Sequence, residues 1–283
     1  PTKGKVKFDL YPFQEKCLTT FKDNRYNIIL KARQLGISTL SAGYSLWMML
    51  FHNDKNILVI ATGKETAKNL VTKVRVMYEG LPQWLKTNTE EINKLSIRFA
   101  NGSQIKAIAS NESAGRSEAL SLLIIDEAAF IDRIDTIWTA AQQTLSTGGG
   151  CIALSTPNGV GNWFHKQWLG AEEGTNQFNT IRLHWTDHPD RDQVWRDEQD
   201  KILGPSQAAQ ECDTDFLSSG RSVVDPAILQ WYKEEMIEAP IEEVGIDRGM
   251  WVWRQPDYTK EYIVVADVAR GDGSDFSACQ VFE

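Results

Sequence analysis

YNIILKARQLGIST, residues 26–39, decides the fold class. Its first half is a short, largely apolar and β-branched run, as expected of a buried strand. Glycine then appears at Gly36, and apolar residues resume at helical spacing in STLSAGYSLWMMLFHN (38–53). A strand that turns through a glycine loop into a helix gathers backbone N–H groups and a helix N-terminus at one point, which suits an anion. Laid on the pattern G-x-x-x-x-G-K-[ST], Gly36 takes the second glycine and Ser38 the hydroxyl that would bind Mg²⁺. Lys31 stands where the first glycine should be and Ile37 where the lysine should be. Lys31 can return the lost charge from the other end of the loop, with Arg33 as a second cation. The same residues also read as an ordinary strand-to-helix turn ending in a Ser N-cap.

Outward from this stretch, NILVIAT (56–62), LSLLIIDEA (120–128) and GGCIALST (149–156) read as further buried strands, and KETAKNLVTKVRVMYEGL (64–81) as a helix. Strands without polar alternation, separated by helices, indicate a parallel sheet covered on both faces. SIRFA (96–100) and QIKAIA (104–109), joined by Asn101-Gly102, read instead as an antiparallel hairpin. The expectation is an α/β fold with a mostly parallel sheet flanked by helices. From about 162 to 250 the chain is richer in Trp, Asp, Glu and Gln, with helical patterns in NWFHKQWLGAEEG, VWRDEQDKILG and DPAILQWYKEEM. A second sheet opens in KEYIVVADVARGDGSDFSACQVF (260–282), which reads as a hairpin and, standing alone, as a fragment.

Asp126-Glu127 end the apolar strand Leu122–Ile125, and ligands of open α/β sheets bind at the carboxyl ends of strands. There Asp126 suits Mg²⁺ and Glu127 suits orienting or deprotonating a water; the plainer alternative is a cap on the next helix. Ser155 and Thr156 in ALSTPNG reach the same edge, unless that segment is only a strand followed by a Pro-Asn-Gly turn. Tyr11 and Gln14, shortly before the first strand, suit stacking on and hydrogen bonding to an adenine. Phe13 and Leu18 of the same segment suit the core.

Composition narrows the alternatives. With 42% hydrophobic and 24% charged residues the chain is of globular type, and its net charge of −8 argues against a protein that coats DNA non-specifically. No apolar run is long enough to span a membrane, and the N-terminus lacks the pattern of a signal peptide. Cys17, Cys151, Cys212 and Cys279 form no C-x-x-C pair and are expected as buried thiols rather than a disulfide or zinc framework. His184 and His188 lie four apart, but in a TDHPD loop context.

Taken in order, LYPFQEKCL, KARQLGIST, NGSQIKAIASNESAGRSEALSLLIIDEAAF, LSTPNG, AQECDTDFLSSG and YIVVADVARGDGSDF resemble the large terminase subunit of tailed, myovirus-type bacteriophages from about residue 8 to the end. The resemblance implies a P-loop NTPase of the RecA/ASCE-like kind that hydrolyses ATP with Mg²⁺. It implies an ATPase core at 1–165, a helical subdomain at 166–250 and the start of an RNase H-like nuclease at 251–283. Tyr11 and Gln14 match adenine recognition. Lys31, Ala32, Arg33, Gln34, Leu35, Gly36, Ile37, Ser38 and Thr39 match the variant phosphate loop, with Arg33 at the γ-phosphate. Asp126 and Ser38 match the Mg²⁺ ligands, Glu127 the catalytic carboxylate and Arg116 a trans-acting arginine. Ser155, Thr156 and Pro157 match the motif that couples hydrolysis to DNA movement.

Asp267 matches the first metal ligand of the nuclease. A lone Asp builds no two-metal site, so no DNA cleavage is expected of this chain by itself; Asp272 and Asp275 suit a turn. The implied partners are double-stranded viral DNA, the portal protein, the small terminase subunit and a homo-oligomeric ring on the prohead, in the host cytoplasm and away from any membrane. Two rivals share the loop and the acidic strand. A helicase-like ATPase would need a second RecA-like domain, which 255–283 does not resemble. A binding-only module would not need Glu127.

Overall fold

Side chains alternate between the two faces of each central strand, and both faces are covered. The computed structural model describes residues 7–109, 119–216, 228, 231–236, 238–245, 249–268 and 278–282. The chain divides into two compact units, Pro1–Ala227 and Ile228–Glu283. In the first, the chain runs α1 (Pro12–Asp23), β1 (Tyr26–Lys31), α2 (Ile37–Phe51), β2 (Asn56–Ala61), α3 (Lys64–Glu79), β3 (Thr89–Ile92), β4 (Ser96–Phe99) and β5 (Gln104–Ala109). It continues through β6 (Leu122–Asp126), α4 (Ile134–Leu145), β7 (Gly150–Ser155), α5 (Trp163–Glu172), β8 (Asn179–Leu183), α6 (Gln193–Leu203) and α7 (Pro205–Cys212).

One eight-stranded sheet results, in the order β3-β4-β5-β2-β6-β7-β1-β8. Pairing from β5 to β8 is parallel throughout, while β3 and β4 add to that edge antiparallel. Ile29, Ile57, Val59, Ile105, Ile124 and Ile152 point to one face, where α1, α2 and α3 cover them. Their neighbours Ile28, Leu58, Ile60, Leu123, Ile125 and Ala153 point to the other, under α4 and α5. Both faces are thus dry, which is why these strands carry no polar alternation. The buried stripe of α3, Ala67, Leu70, Val71, Val74 and Tyr78, repeats every three to four residues as a helix on a sheet requires.

The parallel sheet and the Asn101-Gly102 hairpin stand as expected; Gly102 turns with φ +80° beside Asp54. Other elements differ from the sequence expectation. β3 (TEEI) is exposed along its whole length, and β8 (NTIRL), within the segment expected to be helical, pairs with β1 at the opposite edge. In the second unit, β9 (Glu242–Val244) pairs with β10 (Met250–Val252), and β11 (Ile263–Asp267) forms the expected hairpin with β12 (Ala278–Phe282). Cys17, Cys151 and Cys212 are buried, but Cys279 on β12 is exposed, which corrects the expectation for that thiol. No helix among the described residues is long and apolar enough to cross a membrane.

Ile124 is fully buried at the centre of the sheet. Ile124→Ala should therefore destabilise the first unit by about 2–5 kcal/mol, read as a lower urea midpoint with unchanged far-ultraviolet circular dichroism. A cost below about 1 kcal/mol would contradict this packing.

Candidate active site

Three adjacent strands end side by side. In the order β6-β7-β1, Asp126 pairs with Leu154 and Ser155 with Leu30, so Lys31, Asp126 and Ser155 share one carboxyl edge. Directly after β6 the backbone of Glu127 adopts a left-handed conformation, φ 54° and ψ 47°. A non-glycine residue there costs about 1–2 kcal/mol, and such strain concentrates at functional sites. The kink sets the Glu127 carboxylate across the edge, where Oε1 accepts from Lys31 Nζ at 2.9 Å and Oε2 from Ser155 Oγ at 3.5 Å. Ser155 Oγ in turn accepts from Ala129 N at 3.1 Å, and Asn158 Nδ2 donates to Ala129 O at 3.0 Å, so the segment after β7 holds the turn after β6. Neither acidic residue caps a helix through its side chain.

The loop between β1 and α2 is held from outside. Gln14 Nε2 on α1 donates to Leu35 O at 2.9 Å, and Arg191 donates to Arg33 O at 3.0 Å and Gln34 O at 3.2 Å. Arg191 itself lies 4.4 Å over the Trp195 ring. Ala32 N and Arg33 N donate to Leu183 O and Glu211 O, each at 2.7 Å. Three successive loop carbonyls are thereby turned outward. Among the described residues, no acceptor meets the backbone N–H groups from Gln34 to Thr39. A run of free N–H groups at a helix N-terminus is an anion cradle. Gly36, at φ +76°, leaves no room for a side chain, because a Cβ there would lie 2.7 Å from Gln14 Nε2.

The side chains divide into cations, acids and packing. Ser38 is not an N-cap: α2 begins at Ile37, and Ser38 Oγ donates to Asp126 Oδ1 at 3.2 Å. Two oxygens at the mouth of the cradle form a donor set suited to Mg²⁺. Asp126 is buried, and its carboxyl is held above the usual range, first by desolvation and then by the Glu127 charge, against the pull of Lys31 and the Ser38 hydroxyl. Ile37 packs in the core, so the position of the missing lysine faces away from the cradle. Lys31 lies within it, its side chain 7% exposed. Arg33 is largely exposed and reaches Glu211 at 3.5 Å. Gln14 is buried, and its Oε1 accepts from Tyr11 N at 3.1 Å, so both ends of its amide are engaged within the fold. The Tyr11 ring lies 4.7 Å from that of His188, and Phe13 and Leu18 pack against the core.

Thr156 is buried beside Ser155, and Pro157 O accepts from Gln210 Nε2 on α7 at 3.1 Å. Asp267 ends β11 in the second unit and is exposed. Arg116, Asp272 and Asp275 lie outside the described residues. Sequence reasoning missed Arg191 and Gln210; each is a single polar residue in an irregular or helical stretch, and no local pattern marks it.

A family model described as terminase large subunit, T4likevirus-type, N-terminal, matches residues 28–225. The probable terminase large subunit gp28 of Escherichia phage Mu is 26% identical over 168 residues, covering 54% of this chain and 30% of that protein. The chain thus spans about a third of the length of that curated relative. The large terminase ATPase domain of Thermus phage P74-26 superposes with a TM-score of 0.59 at 22% identity, covering 74% of this chain and 94% of that one. The large terminase of bacteriophage HK97 superposes with a TM-score of 0.62 at 16% identity, covering 76% and 52%. At these identities the two structures speak for the fold. The family match covers most of the chain, and the chain belongs to the T4-like terminase large-subunit family, in its N-terminal part.

Two outcomes follow from the geometry. Gly36→Ala should cost at least about 1 kcal/mol through the left-handed backbone alone, and Gln14→Ala in the same chain should recover only the steric share; full recovery in thermal melts would mean that the backbone is unstrained. Ionised Asp126 weakens the folded state. That cost is absent below the ordinary carboxylate range and grows as pH rises through the raised folded value. Asp126→Asn should therefore melt above the parent at neutral pH, with the gain shrinking on acidification. A gain independent of pH would exclude this origin.

Proposed function

We propose that this chain is the ATP-hydrolysing part of a motor subunit that drives double-stranded viral DNA into a prohead. The observation that carries the proposal is the Lys31–Glu127 pair, set between a cradle of free N–H groups and the Ser38–Asp126 oxygens. A cradle without a neighbouring carboxylate would bind an anion and do nothing more. A carboxylate held at the edge of the cradle can also orient and deprotonate a water for attack on a terminal phosphate.

In this reading the N–H groups from Gln34 to Thr39 and the Lys31 ammonium receive the phosphates of ATP. Ser38 and Asp126 hold Mg²⁺, which when bound neutralises phosphate charge. Lys31 cannot serve the phosphates and Glu127 equally, so nucleotide entry loosens the ion pair and leaves Glu127 free to take a proton from water. Ser155, already against Glu127, steadies it. The change passes through Thr156 and Pro157 to Gln210 on α7, the helix whose Glu211 also meets Arg33. Tyr11 and Gln14 border the base, with Gln14 acting mainly by shaping the loop. Family membership supports the wider assignment: a homo-oligomeric ring at the portal, fed by the small terminase subunit in the host cytoplasm, with Arg116 acting in trans and Asp267 opening a nuclease region.

The test is Mg²⁺-dependent ATP turnover by this chain beside Glu127→Gln. The variant should bind nucleotide yet turn over about a hundredfold or more slowly. Equal turnover by the two proteins would sink the role of Glu127, and absence of nucleotide binding by the parent would sink the cradle.

A further inference from the structure

The cradle has a charge problem that the proposed site does not resolve. Polyphosphate brings several negative charges beside two carboxylates, Asp126 and Glu127, more than a single Mg²⁺ and a Lys31 shared with Glu127 offset. Ile37 contributes no cation, Lys31 is tied to Glu127, and Arg33 is largely exposed and leans on Glu211.

Helix α3 supplies another cation. β1 and β2 run parallel within the sheet, and α2 and α3 leave their carboxyl ends on the same face, so the two helices run in the same direction. They touch where Met77 Sδ lies 3.8 Å from the Cβ position of Gly43. One helical turn back toward the site, four residues on each helix, brings Lys73 level with Thr39. Helical side chains lean toward the N-terminus, which carries the Lys73 stem further toward Ser38 and Asp126. Lys73 is half-buried and, among the described residues, has no hydrogen-bond or ion-pair partner. Its surroundings agree with this placement. Burial lowers its pKa, the Asp126 charge opposes that, and the Lys31 charge adds to it. A half-buried ammonium without a partner is costly until an anion reaches it.

We infer that Lys73 is a phosphate-contacting residue, meeting the terminal phosphate of a bound nucleoside triphosphate from α3 and replacing the charge absent at Ile37. The inference rests on the nucleotide reading of the cradle. A surface role is disfavoured by its half-burial, and a salt-bridge role by the missing partner.

The experiment measures binding of ADP and of a non-hydrolysable ATP analogue, with Mg²⁺, to the parent chain, Lys73→Met and Lys73→Arg, together with their melting temperatures. Loss of a charge-assisted contact should weaken the analogue about ten- to hundredfold in Lys73→Met. ADP should weaken much less, Lys73→Arg should recover most of the loss, and melting should not fall. Equal binding of the analogue by parent and Lys73→Met would overturn the inference while leaving the cradle intact. Parallel loss of ADP, analogue and thermal stability would show a structural lysine and overturn it as well. Failure of the parent to bind either nucleotide would remove the nucleotide reading and this inference with it.

Discussion

The ion pair between Lys31 and Glu127 organises the rest of the site. It spans the ends of two strands that do not touch, β1 and β6, across the end of β7. Desolvating an ion pair is expensive, so it adds little net stability, yet removing Glu127 would leave the enclosed Lys31 ammonium uncompensated. The pair therefore holds geometry more than it holds the fold together. It keeps the Glu127 carboxylate over the edge. Anything that binds in the cradle must break into that arrangement electrostatically.

Strands that bury both faces were readable from their apolar runs, and the hairpin strands β4, β5, β11 and β12 from the turns between them; the edge strands β3 and β8 offered neither signal. β1, β2, β6 and β7 carry unbroken apolar runs because helices cover both sides. β3 is exposed at every residue, and β8 buries only Leu183 fully, so the apolar signal that identifies a strand was never required of them. Backbone pairing with β4 and β1 makes them strands. At the site, the acidic pair and the Ser155 hydroxyl were visible because they follow apolar strands directly. The outer supports were not visible as such, although Gln14 was singled out for an adenine. Gln14 has a buried amide that shapes the loop, and Arg191 reaches it from a distant segment; both contacts depend on tertiary structure. The departure at Ile37 had a physical reason equally hidden from the motif: in this helix that position faces the core.

Asp126 shows where function and stability part. A buried carboxylate beside a second carboxylate is poorly placed for an unliganded fold, and Ser38 and Lys31 only partly offset the cost. Left-handed Glu127 adds backbone strain at the next residue. Local rules broken in succession at one point, in a sheet otherwise consistent with its sequence, mark a place shaped for a ligand.

The outward anchoring of the loop carbonyls also bears on descent. The path of the loop is fixed by Gln14, Arg191 and strand-edge hydrogen bonds, none of which involves a cation inside the cradle. Shape and charge are consequently separate inheritances. With the loop's path fixed from outside, a substitution of the lysine inside the cradle is expected to change charge more than shape.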